Sequence, residues 1–243
     1  MISEMNRYDT KKIAIILSGG VGSRMDLSKP KQYVEVGGRP VIEYCLQTLL
    51  LHEEIDMAII VVADEWLDFV KECVRRIKVI IPVYYSKPGE QRQGSIVNAL
   101  HVAKQMGVVA DDIVLIHDAA RPMLSKKLIS DCLNACKEAD AVLPVIPVKD
   151  TTYLSCDGLH IDSLIERKTL WNGQAPEAFR FGLYYDANDK LSNEEVSRIT
   201  GSTEVAYKAG LKCVLIPGDA SNFKITTKED LLKFEFIIKN ESL

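Results

Sequence analysis

The 243-residue sequence lacks any Cys-x-x-Cys pair, and its six cysteines form no cluster with its four histidines at zinc spacing. That excludes a structural zinc site of the usual kind. Cys45, Cys73, Cys132, Cys136, Cys156 and Cys213 are expected to be reduced packing residues, as in a reducing cytosol. The chain also lacks a basic excess: its formal net charge is -4. That argues against a general nucleic-acid surface and means that an anionic ligand needs a local basic pocket. No run approaches the roughly 18 apolar residues of a membrane span. The N-terminal MISEMNRYDTKK has no apolar core of a signal peptide. The expectation is a cytoplasmic protein outside the membrane. There is no low-complexity linker and no internal repeat, so residues 1–243 are read as one domain. Gly-Lys-Ser/Thr is absent, which excludes a P-loop. The glycines at 19, 20 and 22 do not fall as G-x-G-x-x-G, and no acidic residue ends the second predicted strand, since Asp64 opens the next helix. A nicotinamide dehydrogenase is set aside on those grounds.

What the chain does have is an alternation of short β-branched runs with stretches of helical period. Strands are predicted at 13–17, 57–63, 79–85, 112–118 and 141–148, and helices at 40–52, 64–77, 95–106 and 124–139. Near-continuous apolar strands separated by helices predict an α/β fold with a mostly parallel sheet covered on both faces. Ligands then bind beyond the carboxyl ends of the strands, where 18–31, 118–122 and 149–152 are polar. After residue 150 the rhythm changes. Asp157-Gly158 between two alternating runs predicts a hairpin arm at about 150–171. Helical period returns at 181–209, followed by a strand at 213–218 and a helix at 228–239.

LSGGVGSRMDLSKPKQY (17–33) follows the first strand directly. Gly19, Gly20 and Gly22 allow close approach of the backbone to a ligand, and successive amides in such a turn make an anion-binding concavity. Arg24 and Lys31 add the positive charge that a triphosphate and its departing pyrophosphate require. Read alone, this is equally a glycine-rich turn with two solvated cations.

G-G-x-G-S-R-M followed by P-K-Q-Y resembles the signature of cytidylyltransferases that act on methylerythritol phosphate or ribitol phosphate, and the similarity runs from about Lys12 to Ile238. The resemblance implies a three-layer, Rossmann-like nucleotidyltransferase sheet with a projecting β-arm. It implies that Arg24 and Lys31 grip the triphosphate, that Gly20, Gly22 and Ser23 bind the nucleotide beside them, and that Ser18 and Gly19 close the base pocket. GEQRQGS (89–95) resembles the segment that recognises cytosine and ribose, implying roles for Gly89, Glu90, Arg92 and Ser95. HDAARP (117–122) is similar to the string ending the family's fourth strand. There Asp118 is suited to hold Mg2+, which takes one or two carboxylates plus phosphate oxygens. Arg121 would face the acceptor phosphate, and His117 is expected to be a packed residue, since this chemistry needs no base. PVKDTT (147–152) implies acceptor contacts from Asp150 and Thr151. ERKTLWNGQAP (166–176) implies that Arg167 reaches the phosphate of a neighbouring subunit, hence a homodimer. NFKITTKEDL (222–231) places Lys224 on the acceptor phosphate, and Thr200 is assigned an acceptor hydroxyl.

The match departs at Thr200-Gly201-Ser202-Thr203-Glu204, where methylerythritol enzymes carry T-D-[DE]-A-S. Together with 189–201 and Glu65-Trp66, this turn favours ribitol 5-phosphate or a similar polyol phosphate as acceptor of CMP from CTP. HDAARP and the Leu170-Trp171 pair favour methylerythritol 4-phosphate as the alternative. Competing readings are a transferase using another nucleoside triphosphate and a catalytically silent nucleotide-binding module.

Overall fold

The structure is a computed structural model that describes residues 10–20 and 29–241. The chain opens with β1 (Lys12–Leu17) and the hairpin β2 (Glu35–Val36) and β3 (Arg39–Pro40), then α1 (Val41–Leu50) and β4 (Met57–Val61). Next come α2 (Leu67–Ile77), β5 (Val83–Ser86), α3 (Arg92–Gln105), β6 (Ile113–Asp118), α4 (Lys126–Ala135) and β7 (Ala141–Pro147). A separate hairpin pairs β8 (Tyr153–Leu154) with β9 (Ser163–Leu164). The rest is β10 (Trp171–Gly173), β11 (Glu177–Arg180), α5 (Phe181–Asp189), α6 (Asn193–Arg198), α7 (Ser202–Lys208), β12 (Cys213–Pro217) and α8 (Lys228–Glu241).

Strands β1, β4 and β6 bury nearly every side chain, as expected of strands covered on both faces. Alternate residues of β1 divide between the two covers. Ala14 and Ile16 join a core with α1, α2 and α4, whereas Ile13 and Ile15 join one with α3, α5 and α7. The three-layer α/β architecture follows. Strands β5, β4, β1 and β6 run parallel in that order, and β7 runs parallel to β12. Between β6 and β7 lies β11, antiparallel to both, and β10 continues along the same edge of β7. A third, smaller core seats α8 through Phe234 and Leu231 on Val36 and Val41.

The structure shifts several predicted elements. The strand expected at 79–85 begins only at Val83: Lys78 ends α2 in the left-handed conformation at φ 56°, and Ile80 is 96% exposed. Proline 82 has no amide to give, so it joins the sheet only through its carbonyl, which accepts from Ala58 N at 3.0 Å. The helix expected from 124 begins at Lys126 because the Ser125 hydroxyl accepts from Leu128 N and caps it. In the hairpin, Asp157-Gly158 does not make a two-residue turn. Asp157 Oδ1 accepts from the amides of Leu159 and His160, holding a wider loop. Four cysteines are buried as expected, and burial pushes the Cys45 and Cys136 thiols up to about 12. Cys156, in contrast, is exposed in the hairpin loop and packs against nothing in the core, although all six are free thiols. Among the described residues, no helix is long and apolar enough to cross a membrane.

Candidate active site

The carboxyl ends of β1, β5 and β6 converge on one cleft of about 600 Å³. Its floor is Gly19 and Gly20 after β1. Lys31 and Glu65 line it, as do Gly89, Glu90 and Arg92. Asp118 and Lys224 close it.

The glycine turn is held from beneath. Gln32 Nε2 donates to both Ser18 O and Gly20 O at 2.7 Å, and Tyr33 OH donates to Ser18 O at 2.9 Å. Ser18 is buried, and its hydroxyl lies 2.7 Å from Tyr33 OH, so it braces the turn. A Cβ on Gly19 would fall 2.5 Å from Pro88 Cβ, so the turn and the β5–α3 loop touch only because this residue is glycine. Gly22, Ser23 and Arg24 lie outside the described residues.

The loop before α3 is equally tight. Gly89 N donates to Ser95 Oγ at 3.0 Å, and Ser95 Oγ donates to Gln91 O at 3.2 Å. Ser95 therefore shapes the loop with its hydroxyl. A Cβ on Gly89 would meet the Gly94 carbonyl carbon at 2.5 Å and Ser95 N at 2.8 Å, backbone atoms that yield only if α3 shifts. Gly89→Ala is therefore expected to cost about 1–3 kcal/mol of stability. It should also weaken CTP binding about tenfold, read by calorimetry.

At the end of β6 stands a charge cluster. Asp118 Oδ1 lies 3.1 Å from Arg92 Nε, and Oδ2 lies 2.9 Å from Lys224 Nζ and 3.9 Å from Arg121 Nε. Burial alone would raise the Asp118 pKa, but Arg92, Lys224 and Arg121 outweigh it and hold the carboxyl far below the usual range. Arg121 does not line the cleft, and its Nη1 donates to Asn222 O at 2.8 Å. His117 is fully buried with Nε2 3.0 Å from Arg121 O, and burial lowers its pKa to about 4. It is neutral near pH 7 and packed, as expected.

As a magnesium holder, Asp118 fits only in part. Its two oxygens are already taken by Arg92 and Lys224, and no group of three metal-ligating side chains exists among the described residues. One carboxylate joining phosphate oxygens and water suits magnesium, and Arg92 and Lys224 compete with it for the two oxygens.

The acceptor residues inferred from the arm stand apart. Asp150, Thr151 and Arg167 are exposed and do not line the cleft. Arg167 Nη1 donates to Lys149 O at 2.8 Å, which gathers the three at the root of the hairpin. Thr200 is exposed too, with its amide and hydroxyl both donating to Glu204 Oε2. Two residues to which the sequence assigned no role belong to the cluster. Ser202 Oγ accepts from Arg92 Nη1 at 2.6 Å and donates to Glu177 Oε1 at 2.9 Å. Ser202 was visible only as a departure from a motif, and Glu177 carried no signal.

Against this geometry, the family model of 2-C-methyl-D-erythritol 4-phosphate cytidylyltransferase matches residues 12–240. A protein of that name from Clostridium botulinum is 34% identical, over 93% of this chain and 98% of its own. One from Neisseria meningitidis is 34% identical over 90% of this chain and 94% of its own. Among solved structures, the 4-diphosphocytidyl-2C-methyl-D-erythritol synthase of Anaerococcus prevotii superposes with a TM-score of 0.78 at 27% identity, covering 95% of this chain and 96% of that one. The slight preference for ribitol phosphate finds no support among these relatives, whose names favour the alternative acceptor. The nucleotidyltransferase chemistry and the fold inferred from the motifs both agree with them. The chain belongs to the 2-C-methyl-D-erythritol 4-phosphate cytidylyltransferase family of enzymes.

Proposed function

We propose that this enzyme transfers CMP from CTP to 2-C-methyl-D-erythritol 4-phosphate and releases pyrophosphate. The observation that carries this reading is near-full-length similarity, at 34–35% identity, to relatives named for that reaction. One cleft lined by Asp118, Arg92 and Lys224 together with the glycine turn and Lys31 supports it.

In this reading an acceptor phosphate oxygen attacks the α-phosphorus of CTP in line. The new P–O bond forms as the bond to the β-phosphate oxygen breaks, and pyrophosphate carries away the electron pair. The protein contributes positioning and fixed charge rather than a base. Lys31 and Arg24 serve the triphosphate. Gly89, Glu90 and Arg92 serve the nucleoside. Lys224 serves the acceptor phosphate, and Arg121, which does not line the cleft, adds its charge from behind Asp118 at 3.9 Å. Magnesium supplies charge neutralisation on the triphosphate, with Asp118 as the carboxylate that would hold it. The hairpin carries exposed Leu154, Leu159, Ile161 and Leu164. Such an apolar surface suits a second copy of this chain, with Arg167, Asp150 and Thr151 brought to the partner's acceptor site.

Pyrophosphate release from CTP and magnesium, followed with methylerythritol 4-phosphate, ribitol 5-phosphate or no acceptor, tests the reading. Release with methylerythritol 4-phosphate alone is expected. Release with ribitol 5-phosphate alone would sink the acceptor assignment, and silence with both would sink the activity.

A further inference from the structure

Glu177 is a charged residue buried where a strand meets the active site: 6% of it is exposed, and it does not line the cleft. Its place follows from register. β11 pairs antiparallel with β6, with Glu177 opposite Ile116. Paired residues share a face, and so do residues two apart on a strand. Glu177 therefore stands on the same face as Ile116 and Asp118, the face covered by α3 and α7.

Its carboxylate binds the first turn of α7. Oε1 accepts from Ser202 Oγ at 2.9 Å. Oε2 accepts from Thr203 N at 2.8 Å and from Thr203 Oγ1 at 2.5 Å. Oε1 also lies 3.6 Å from Arg92 Nη2. Each nitrogen of that guanidinium has its own neighbour: Nε meets Asp118, Nη1 meets Ser202 and Nη2 faces Glu177. A planar fork held at three points has little rotational freedom. The turn that Glu177 holds is the one whose sequence departs from T-D-[DE]-A-S, with Ser202 in the [DE] place.

We propose that Glu177 is a positioning residue for the nucleotide site, fixing Arg92 and the 201–204 turn by supplying from β11 the carboxylate that the turn lacks at Ser202. The proposal rests on the cytidylyltransferase reading for what Arg92 holds, but not on which acceptor is used.

The test compares Glu177→Gln, Ser202→Asp and the double variant in the full chain, with CTP binding measured by calorimetry and KM and kcat by pyrophosphate release. Removing a carboxylate makes the cleft more positive, so charge alone would tighten CTP binding. Positioning demands the reverse. Glu177→Gln should weaken CTP binding about tenfold, the scale of a lost hydrogen bond to a charged group. It should raise KM for CTP with kcat changed less than about threefold. Ser202→Asp alone sets two carboxylates side by side and should also weaken binding. The double variant, with the acid returned to the turn, should recover to within about threefold of the parent. Unchanged or tighter CTP binding in Glu177→Gln overturns the proposal, as does a double variant no better than that single one. If Glu177→Gln fails to fold, recovery of folding and CTP binding in the double variant supports the proposal, and failure there overturns it. Absence of turnover in the parent would strike the proposed activity, while the binding series would still decide the role of Glu177.

Discussion

Lys224→Ala is expected to lower cytidylyl transfer about 10²–10³-fold, the usual consequence of removing one group that stabilises developing charge. Circular dichroism should be unchanged. The reason for expecting a large kinetic and small structural effect lies in what Lys224 touches. Its ammonium reaches Asp118 Oδ2 at 2.9 Å, yet its side chain is 33% exposed and lines the cleft. The folded protein keeps Asp118 paired through Arg92 when Lys224 is gone. Lys31→Ala should behave similarly toward the triphosphate, since Lys31 lines the same cleft. Near-parental turnover in the Lys224 variant would remove it from the catalytic group.

Asp118→Ala should damage both activity and stability. Breaking a buried ion pair by deleting one partner commonly costs about 3–5 kcal/mol. Here Arg92 keeps Glu177 within 3.6 Å and Lys224 can turn to solvent, so the cost should sit near the lower end, about 3 kcal/mol by denaturant titration. The pH dependence has a definite sign. The Asp118 carboxyl titrates lower in the folded protein than in the unfolded chain. Its contribution is therefore fully present above the unfolded value of about 3.9 and is lost as the pH falls from there toward the folded value. Asp118→Asn should lack that part of the acid unfolding curve. A variant with parental stability and an unaltered acid limb would show that the cluster does not hold the fold.

How much could be read beforehand depended on how local each signal was. β1, β4 and β6 were legible because Ile13–Ile16, Ala58–Val61 and Ile113–Ile116 are unbroken apolar runs. β10 and β11 were not, because three- and four-residue strands separated by Gln174, Ala175 and Pro176 give no period to detect. Buried Glu177 also reads as a solvated charge until its partners are in place. Arg92, Asp118 and Lys224 were found through motifs, but their mutual contacts span 26 and 106 positions, and no motif encodes that they share one carboxylate. The Arg92–Ser202 bond spans 110 positions. Arg167 shows the opposite case: its motif was recognised, while the structure ties it to Lys149 O, outside the cleft of its own chain.

The placement of β11 has a consequence for the order in which a newly made chain can finish itself. β6 ends at Asp118, but one of its edges is closed only by residues 177–180. Until that later segment has left the ribosome, Ile113–Ile116 presents open backbone donors and acceptors along an apolar strand, the kind of edge on which unfinished chains associate. During the same interval Asp118 has Arg92 available but not Lys224, which is made 106 residues later. The nascent chain thus holds an acid still short of one partner beside an unsealed sheet edge from the completion of β6 until residues 177–180 are made.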